Sequence, residues 1–250
     1  MNSQELTGSV AIVTGAGRNI GRAIALELAA AGAAVIVNAR SNHEETQDVV
    51  GEIIARGGRA LAFLADVADA QAVDRMVAAA AQRFGRINIL VNNAALRAEI
   101  PFQDMTQGDW RDVLAVILDG AFNCTKAALP QLRASGVGAV VNIGGLSAHT
   151  GALNRAHVVT AKAGLVGLTR ALAHDLAADN VTVNCVVPGR IETVRNPGQA
   201  EPAHHRIHHP LGGRRGTPED VASAVRFLCG PGARYVSGQT IHVNGGAFLG

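Results

Sequence analysis

Residues that exchange protons or donate hydrogen bonds near neutral pH are concentrated between positions 147 and 162. Ser147 offers a hydroxyl group, and His149 offers an imidazole whose unperturbed pKa of about 6.5 suits proton transfer at neutral pH. His157 and Lys162 lie at the start of a long apolar helix, and Lys162 could itself act as an acid or base. Val158 shares a helical face with Lys162, as residues four apart do, whereas His157 is rotated by about 100°. The segment therefore suits acid–base chemistry, with His149 as the first candidate and a structural, hydrogen-bonded role as its alternative.

A glycine-rich turn, TGAGRNIG at 14–21, directly follows the first apolar run and precedes the first helix. Glycines let the backbone approach a pyrophosphate, and a helix N-terminus adds free N–H groups and a positive dipole. Asn19 tolerates left-handed backbone geometry better than most residues, and it could either crowd a phosphate or donate to it. The predicted dinucleotide contacts in this turn are Gly15, Gly17, Arg18, Asn19, Ile20 and Gly21.

The residues at the end of the second apolar run indicate which dinucleotide binds. An NAD site usually places an acidic residue there, where it binds the ribose 2′-hydroxyl. Here the chain reads VNARS at 37–41, without a carboxylate. Arg40, Ser41 and Arg18 could instead surround a 2′-phosphate with charge-assisted hydrogen bonds. We therefore predict NADP rather than NAD; the alternative is that both arginines simply lie in solvent.

Short apolar strands alternate with helices along the whole chain. The pattern predicts strands at 10–13, 34–37, 60–65, 87–91, 139–143, 181–187 and 240–243. It predicts helices at 23–29, 44–55, 70–83, 107–134, 159–177 and 218–229, with a break near the start of the fourth. This alternation indicates parallel βαβ units. We predict one domain over 1–250, a Rossmann-type, doubly wound parallel α/β sheet with helices on both faces.

Further motifs follow the later strands. Asp66 and Val67 follow the third strand, NNAA stands at 92–95, and PGRIET stands at 188–193. With the glycine-rich turn, these motifs resemble the short-chain dehydrogenase/reductase family over essentially the whole chain, although Asn19 and Ala95 replace glycines of the family pattern. The resemblance implies an NAD(P)-dependent oxidoreductase. It also implies cofactor contacts at Asp66, Val67, Asn92, Ala94, Lys162, Pro188, Gly189, Ile191 and Thr193.

The same resemblance implies where the catalytic side chains should lie. In the family, a serine, a tyrosine and a lysine act together, an asparagine anchors a water relay, and the phenol protonates the substrate oxygen as hydride arrives. Alignment on Lys162 places Val158 at the tyrosine position, Gly145 at the serine position and Ile117 at the asparagine position, and the only tyrosine is Tyr235. A positioned general acid contributes about 10²–10⁴ in rate, so we expect a substitute. The candidates are His149, Ser147, His157 and Lys162, whose family equivalent also binds ribose.

The composition argues against several kinds of partner. The 22 basic and 20 acidic residues leave a net charge of +2, and aromatic residues make up 3%, so we expect no nucleic-acid partner. No apolar run approaches the roughly 20 residues that span a bilayer, and the N-terminus lacks the pattern of a signal peptide. Cys124, Cys185 and Cys229 lie in apolar stretches. We therefore expect reduced core thiols in a cytoplasmic protein.

The stretch 194–216 has no clear periodicity and is rich in Pro, Gly, His and Arg. A segment of this length is more often a functional lid than a core element, so we predict a substrate lid. If it is helical, its histidines pair four residues apart, a spacing that can hold a metal; they are His204, His205, His208 and His209. Because no third ligand accompanies them, we predict no metal. With Arg206, they would suit an anionic substrate.

Three functions fit these observations. The first is a divergent family member that binds NADP(H), or else NAD(H), and performs redox chemistry on a small polar substrate with a proton donor other than tyrosine. The second is a non-redox lyase, isomerase or hydrolase that reuses the pocket. The third is a non-catalytic dinucleotide-binding protein or a silent subunit of a hetero-oligomer. By resemblance, helices 107–134 and 159–177 would pair across a dimer interface and 239–250 would complete a tetramer, so we expect a homo-oligomer.

Overall fold

A computed structural model describes residues 4–194 and 207–250. The described chain is built around the strands β1 (Val10–Val13), β2 (Ala34–Ala39), β3 (Arg59–Leu64), β4 (Ile89–Asn92), β5 (Ala139–Ile143), β6 (Thr182–Pro188) and β7 (Thr240–Val243). They form one parallel sheet in the order β3-β2-β1-β4-β5-β6-β7. This sheet confirms the predicted doubly wound α/β fold.

Helices connect the strands on both faces of the sheet. They are α1 (Asn19–Ala30), α2 (His43–Ala55), α3 (Ala70–Phe84), α4 (Gln107–Leu114), α5 (Gly120–Ser135), α6 (Ser147–Thr150), α7 (Ala156–Asp175) and α8 (Pro218–Cys229). A π-helical turn, Ala115–Asp119, joins α4 to α5. Short 3-10 turns lie at Phe102–Asp104, Ala177–Asp179 and Pro231–Ala233.

The central strand β1 shows why these sequences form a sheet that is covered on both sides. Ala11, Ile12 and Val13 are fully buried. Successive side chains of a strand point to opposite faces. Accordingly, Ala11 and Val13 pack in the cluster that contains α1 and α8, whereas Ile12 packs in the cluster that contains α3 and α5. Burial on both faces explains why the strands appear in the sequence as continuous apolar runs.

The strand order reverses at β1. The chain continues from β1 to β2 on one side, while β4 pairs with β1 on the other. In open parallel sheets, ligands bind in the crevice beyond the carboxyl ends of the strands at such a reversal. The segments 14–21 and 92–95, which follow β1 and β4, therefore meet at the expected ligand-binding edge.

The helical stretch Gln107–Ser135 agrees with the prediction in extent, but it is continuous: the π-helical turn Ala115–Asp119 stands in place of the break predicted near its start. By length and composition alone it could also cross a bilayer: an 18-residue window has a mean hydropathy of 1.3 and is 39% buried. No uninterrupted apolar run in the sequence is long enough to span a bilayer, but the 18-residue window is allowed to contain isolated charged residues. Helices in the core of a protein pass the same test, and α5 packs against α3 and β4. The stretch is therefore weak support for a membrane span.

The three cysteines are buried and unpaired by disulfides, as predicted. Burial raises the pKa of the Cys124 and Cys229 thiols to about 12 and that of Cys185 to about 11. Since the thiolate is the reactive form, these groups are inert parts of the core.

Candidate functional site

The glycine-rich turn is held in place by the loop after β4. The hydroxyl oxygen of Thr14 accepts hydrogen bonds from the backbone N–H groups of Asn93 at 2.9 Å and Ala94 at 3.0 Å. In return, the Asn93 amide donates to the carbonyl oxygens of Thr14 at 2.8 Å and Gly15 at 2.9 Å. The two loops at the crevice therefore form one hydrogen-bonded unit. Asn93 is a residue that the prediction omitted, although it stands inside the NNAA motif.

Two glycines of the turn have no room for a side chain. Gly15 has a φ of +61°, and a Cβ there would lie 2.9 Å from the Cα of Ala94. A Cβ at Gly21 would lie 2.2 Å from the carbonyl oxygen of Gly15, so the start of α1 packs directly beneath the turn. These contacts give the tight turn and the close helix packing that the first and last glycines of a dinucleotide-binding turn provide.

The N-terminus of α1 is open to an anion. Side chains cap α2, α3, α4 and α8, through Asn42, Asp69, Thr106 and Thr217. In contrast, Arg18 makes no side-chain cap at α1, and the first turn of α1 has no acidic residue. Its first N–H groups and its positive dipole therefore face the turn. Together with the glycine geometry, this arrangement fits the phosphates of a dinucleotide.

Asn19 joins the turn to the chain that leaves β6. It adopts a left-handed backbone, with a φ of 52°. Its side-chain amide donates to the carbonyl oxygen of Val194 at 3.1 Å and accepts from the N–H of Val194 at 2.8 Å. Asn19 therefore adopts the backbone conformation of a glycine and also makes two hydrogen bonds that a glycine could not make. No sequence pattern indicates Val194 as its partner.

The end of β2 carries the residues predicted to select the dinucleotide. Arg40, Ser41 and Arg18 are exposed at this edge. Asn38 is buried, and its side chain accepts from the N–H of Gly15 at 3.4 Å and donates to the carbonyl oxygen of Ala65 at 3.0 Å. Asn38 therefore joins the end of β2 to the glycine-rich turn and to the end of β3. The exposed side chains that follow it, Arg40 and Ser41, carry a positive charge and a hydroxyl group.

One carboxylate approaches the turn from α2. A Cβ built at Gly17 would lie 3.2 Å from the Cβ of Glu45 and 3.3 Å from its Oε2. The prediction missed Glu45 because the residue lies in the helix after β2, outside every motif. The cation-rich end of β2 thus has an acidic neighbour.

The predicted adenine-side residues follow β3. The Asp66 side chain accepts from the N–H of Ala68 at 2.9 Å, which fixes its own turn. Val67 is buried, its carbonyl oxygen accepts from Asn123 at 3.0 Å, and its side chain lies against Gly120. These contacts hold both residues at the carboxyl edge, where a cofactor contact stays a prediction.

A buried amide network lies under the crevice. Asn92 donates to Thr125 Oγ1 at 3.2 Å and to Asn142 Oδ1 at 2.9 Å, and Asn142 donates to Thr169 Oγ1 at 2.9 Å. The network ties β4 and β5 to α5 and α7. Asn92 is predicted to contact the cofactor, but its side-chain N–H groups donate to Thr125 and Asn142 inside the protein.

Lys162 lies almost two turns into α7, and its side chain reaches the carboxyl end of β5. Its side chain is buried, and Nζ donates to the carbonyl oxygen of Ile143 at the end of β5. Burial lowers the pKa of Lys162 to about 8, and the charges of Arg97 and Arg155 also lower it. The ammonium is therefore protonated below about pH 8 and loses its proton far more easily than an exposed lysine.

The positions that the resemblance aligns with tyrosine, asparagine and serine carry hydrocarbon or no side chain. Val158 is 3% exposed and packs with Val113 and Ile117 in one apolar cluster. A Cβ at Gly145 would lie 3.8 Å from the Cγ of Lys162. The structure thus brings together all four positions that the resemblance had aligned.

Ile117 lies in the middle of the π-helical turn. Single π-turns occur frequently at functional sites. The sequence does not predict this turn, because a π-turn keeps the same residue types as an α-helix.

His149, the first candidate for the proton donor, packs against two other rings. Its ring lies 4.6 Å from that of His242, edge-on, and 5.7 Å from that of Phe248, measured between centroids. It lines a cavity of about 740 Å³ together with Arg170 and other residues of α7, β7 and the chain end, a lining that does not include Lys162 or Val158. Burial and the charge of Arg170 lower the pKa of His149.

Ser147 and His157 are both buried. Ser147 begins α6, the short helix that also carries His149. Neither ring nitrogen of His157 has a hydrogen-bond partner among the described residues. Burial lowers the pKa of His157, while the backbone of Arg155 and the carboxylate of Asp109 on α4 act to raise it.

The PGRIET segment leaves β6 beside the turn. The carbonyl oxygen of Pro188 accepts from Leu146 at 3.2 Å, and a Cβ at Gly189 would lie 2.6 Å from that of Asn244. Ile191 pairs with Gly216 in a parallel bridge. Thr193 directly precedes Val194, so the predicted nicotinamide segment and the glycine-rich turn flank the same crevice.

Most of the predicted lid, including His204, His205 and Arg206, lies outside the described residues. The described part is Val194 and 207–216. The segment 207–216 packs on the chain end: the N–H of Leu211 donates to the carbonyl oxygen of Gly245 at 2.8 Å. Arg214 pairs with Asp220 at 2.7 Å. Within 4–194 and 207–250, no three His, Cys, Asp or Glu side chains lie close enough to hold a metal.

Comparisons with known proteins agree with this geometry. Residues 15–247 match the family model described as enoyl-(acyl carrier protein) reductase. The chain is 42% identical over 246 residues to the 3-oxoacyl-(acyl-carrier-protein) reductase of Synechocystis sp., covering 98% of each protein. It is 39% identical over 241 residues to the enzyme of the same name from Staphylococcus aureus, covering 96% of this chain and 98% of that protein.

Solved structures show the same fold. A dehydrogenase/reductase from Sinorhizobium meliloti superimposes with a TM-score of 0.92 at 35% identity, covering 99% of this chain and 98% of that one. A short-chain dehydrogenase from Burkholderia cenocepacia in complex with NADP superimposes with a TM-score of 0.90 at 37% identity, covering 97% of this chain and 99% of that one.

Proposed function

The chain belongs to the short-chain dehydrogenase/reductase family, and from this membership we propose that it is an NADP(H)-dependent oxidoreductase that interconverts a carbonyl and an alcohol, with Lys162 as its proton donor. The single observation that carries the proposal is the place of Lys162: a buried amine at the carboxyl end of β5, with a pKa of about 8. The substrate class is a small polar carbonyl compound, and 3-oxoacyl thioesters are the first to test because relatives are named for them.

NADP is favoured by the charge at the end of β2. Arg40, Ser41 and Arg18 offer donors for a 2′-phosphate, and β2 ends without a carboxylate of its own. Glu45 near Gly17 opposes this preference, so the discrimination against NAD is expected to be moderate. The related Burkholderia cenocepacia structure holds NADP.

The residues of the chain have separable roles. The turn at 14–21 and the N-terminus of α1 would hold the phosphates, and the segment 188–193 would hold the nicotinamide end. When bound, the nicotinamide supplies the hydride. Lys162 delivers a proton to the substrate oxygen, and the apolar cluster of Val158 and Ile117 keeps bulk water from that side of the amine.

The divergence of the site is part of the proposal. Val158, Gly145 and Ile117 stand where the family resemblance expects tyrosine, serine and asparagine. Loss of a positioned acid reduces rates by about 10²–10⁴, so turnover should be slow unless the substrate carbonyl is already activated. The packing of His149 against His242 and Phe248 makes His149 a weaker candidate donor than Lys162.

A second function is supported by the same apolar cluster. Ile117 and Val158, which pack with Val113 in this cluster, stand where the family resemblance expects side chains that take part in proton transfer, which favours a protein that binds a dinucleotide without turning over a substrate. We also propose that the protein acts in the cytoplasm as a homo-oligomer, in which α5 and α7 pair between subunits. Light scattering on the purified protein tests that assembly, and a monomer would refute it.

The experiment that tests the proposal combines binding with turnover. NADPH and NADH are titrated by fluorescence, and nicotinamide absorbance is followed over a panel of carbonyl substrates from pH 6 to pH 9.5. Because Lys162 must be protonated to donate, the reduction rate should be constant below about pH 8 and fall tenfold per pH unit above it. Binding without turnover selects the second function, and failure to bind either dinucleotide refutes both.

A further inference from the structure

Asn19 forms a contact that the glycine of the family pattern cannot make. It is one of three non-glycine residues with a positive φ among those described, the others being Asn154 and Asn180. Both ends of its side-chain amide are used: Nδ2 donates to the carbonyl oxygen of Val194 at 3.1 Å, and Oδ1 accepts from its N–H at 2.8 Å. An amide that pairs with one residue in both directions imitates a step of a β-ladder.

The contact joins two segments that are 175 positions apart in the chain. Asn19 belongs to the glycine-rich turn, and Val194 directly follows the segment 188–193. Both hydrogen bonds are exposed to solvent, so they lie on the outer side of the crevice. A dinucleotide that reaches from the turn to 188–193 would lie on the inner side of this connection.

We propose that the Asn19–Val194 contact is a latch that sets the rate at which the dinucleotide enters and leaves the crevice. This inference rests on the proposed function, because it concerns the same cofactor. The latch must open for exchange, since the two segments it joins are the two walls between which the cofactor lies. Among the described residues, opening breaks the two solvent-exposed hydrogen bonds between Asn19 and Val194, and breaking exposed hydrogen bonds costs little, which makes the latch reversible.

Three variants separate the latch from the backbone geometry. Asn19→Gly keeps the left-handed conformation and removes both hydrogen bonds. Asn19→Asp keeps the acceptor for the Val194 N–H but loses the donor to its carbonyl. The matched control is Asn180→Gly, which removes another left-handed asparagine, with a φ of 56° and bonds to Gly136 and Arg234 rather than to the turn.

The first measurement is amide hydrogen exchange of peptides containing Val194, without cofactor. In the unmodified protein the Val194 N–H should be protected, and Asn19→Gly should speed its exchange at least about tenfold. Asn19→Asp should retain most of the protection, and Asn180→Gly should retain all of it. Equal exchange in the unmodified protein and Asn19→Gly would mean that the latch does not exist in solution.

The second measurement is NADPH release, followed by stopped-flow fluorescence. Asn19→Gly should release NADPH about five- to tenfold faster, with faster association as well, while Asn180→Gly matches the unmodified protein. Unchanged rates in Asn19→Gly, or equal acceleration in Asn180→Gly, overturn the latch but leave the proposed function standing. If the unmodified protein binds neither NADPH nor NADH, the proposed function fails and the latch fails with it.

Discussion

The cofactor edge and the surroundings of Lys162 lie next to each other but are built in different ways. At the cofactor edge, Thr14, Asn93 and Gly15 are joined by reciprocal hydrogen bonds, and the glycines leave space that no side chain can take. Around Lys162, the neighbours Val158 and Ile117 are hydrocarbon. Dinucleotide binding therefore depends on a backbone shape that many residues determine together, whereas proton transfer depends on single side chains. Chemistry can be lost or replaced in such a fold while the binding edge persists.

Removing the Lys162 amine tests the catalytic side most directly. Lys162→Met should lower turnover by at least about 100-fold, because it removes the proposed proton donor. It should not destabilise the fold, since a buried charge is replaced by an apolar chain. Steady-state kinetics and thermal unfolding measure the two effects. Lys126→Met, at a lysine that lies over the Phe122 ring, is the control, and a loss of less than twofold in Lys162→Met would contradict the assigned role.

Filling the space under the turn tests the cofactor side. Gly21→Ala should destabilise the protein by about 3 kcal/mol and abolish NADPH binding, because the new Cβ would lie 2.2 Å from the Gly15 carbonyl oxygen. Gly51→Ala, in α2 with no atom within 4 Å of the new Cβ, should stabilise it by about 0.5–1 kcal/mol. Urea unfolding and fluorescence titration provide the values. Normal binding in Gly21→Ala would show that the turn relaxes in solution.

Restoring a hydroxyl beside Lys162 tests whether the two regions still cooperate. The double variant Val158→Tyr, Gly145→Ser should raise turnover about tenfold or more, at a stability cost of about 1–3 kcal/mol from overpacking the apolar cluster. Val158→Phe with Gly145→Ser adds the same ring without the phenol. If the phenylalanine variant gains as much activity as the tyrosine variant, proton donation is not what limits the rate.

The smallest effect on turnover is expected at His149. His149→Ala should leave kcat within about twofold, because the ring packs against His242 and Phe248 in a cavity that Lys162 does not line. Loss of these ring contacts should cost about 1 kcal/mol of stability, seen as a lower unfolding temperature. A large fall in kcat with an unchanged unfolding temperature would indicate that His149, rather than Lys162, donates the proton.

The sequence predicted the fold well because its signals are local. Continuous β-branched runs such as 10–13 mark strands buried on both faces. The strand order then brings the segments after β1 and β4 together at the reversal, independently of the conformation of the loops. The predicted ends of β5 and α8 agree with the structure at both residues. Helix α1 begins at Asn19, earlier than the predicted residue 23. The difference arises because Gly21 and Arg22 interrupt the apolar pattern in the first turn of the helix.

The site was predictable only in part, because its remaining features depend on contacts between distant segments. Glycine spacing located the turn, yet nothing near Asn19 indicates Val194 as its partner. The approach of Glu45 to Gly17 arises from the way α2 packs, and the association of His149 with His242 arises from where β7 joins the sheet. The sequence ranks His149 first as a donor from its residue type and its position, and it gives no sign that Lys162 is buried.

The π-helical turn at Ala115–Asp119 has a consequence for the whole connection between β4 and β5. Such a turn carries one residue more than an α-helical turn, and each residue rotates a helix by about 100°. The extra residue therefore sets the angular phase between α4 and α5, so that Val113 and Leu132 both face inward. Deleting one residue here would rewind the turn and swing Cys124, Ala128 and Leu132 out of the core together, a coupled failure that no single side-chain replacement could produce.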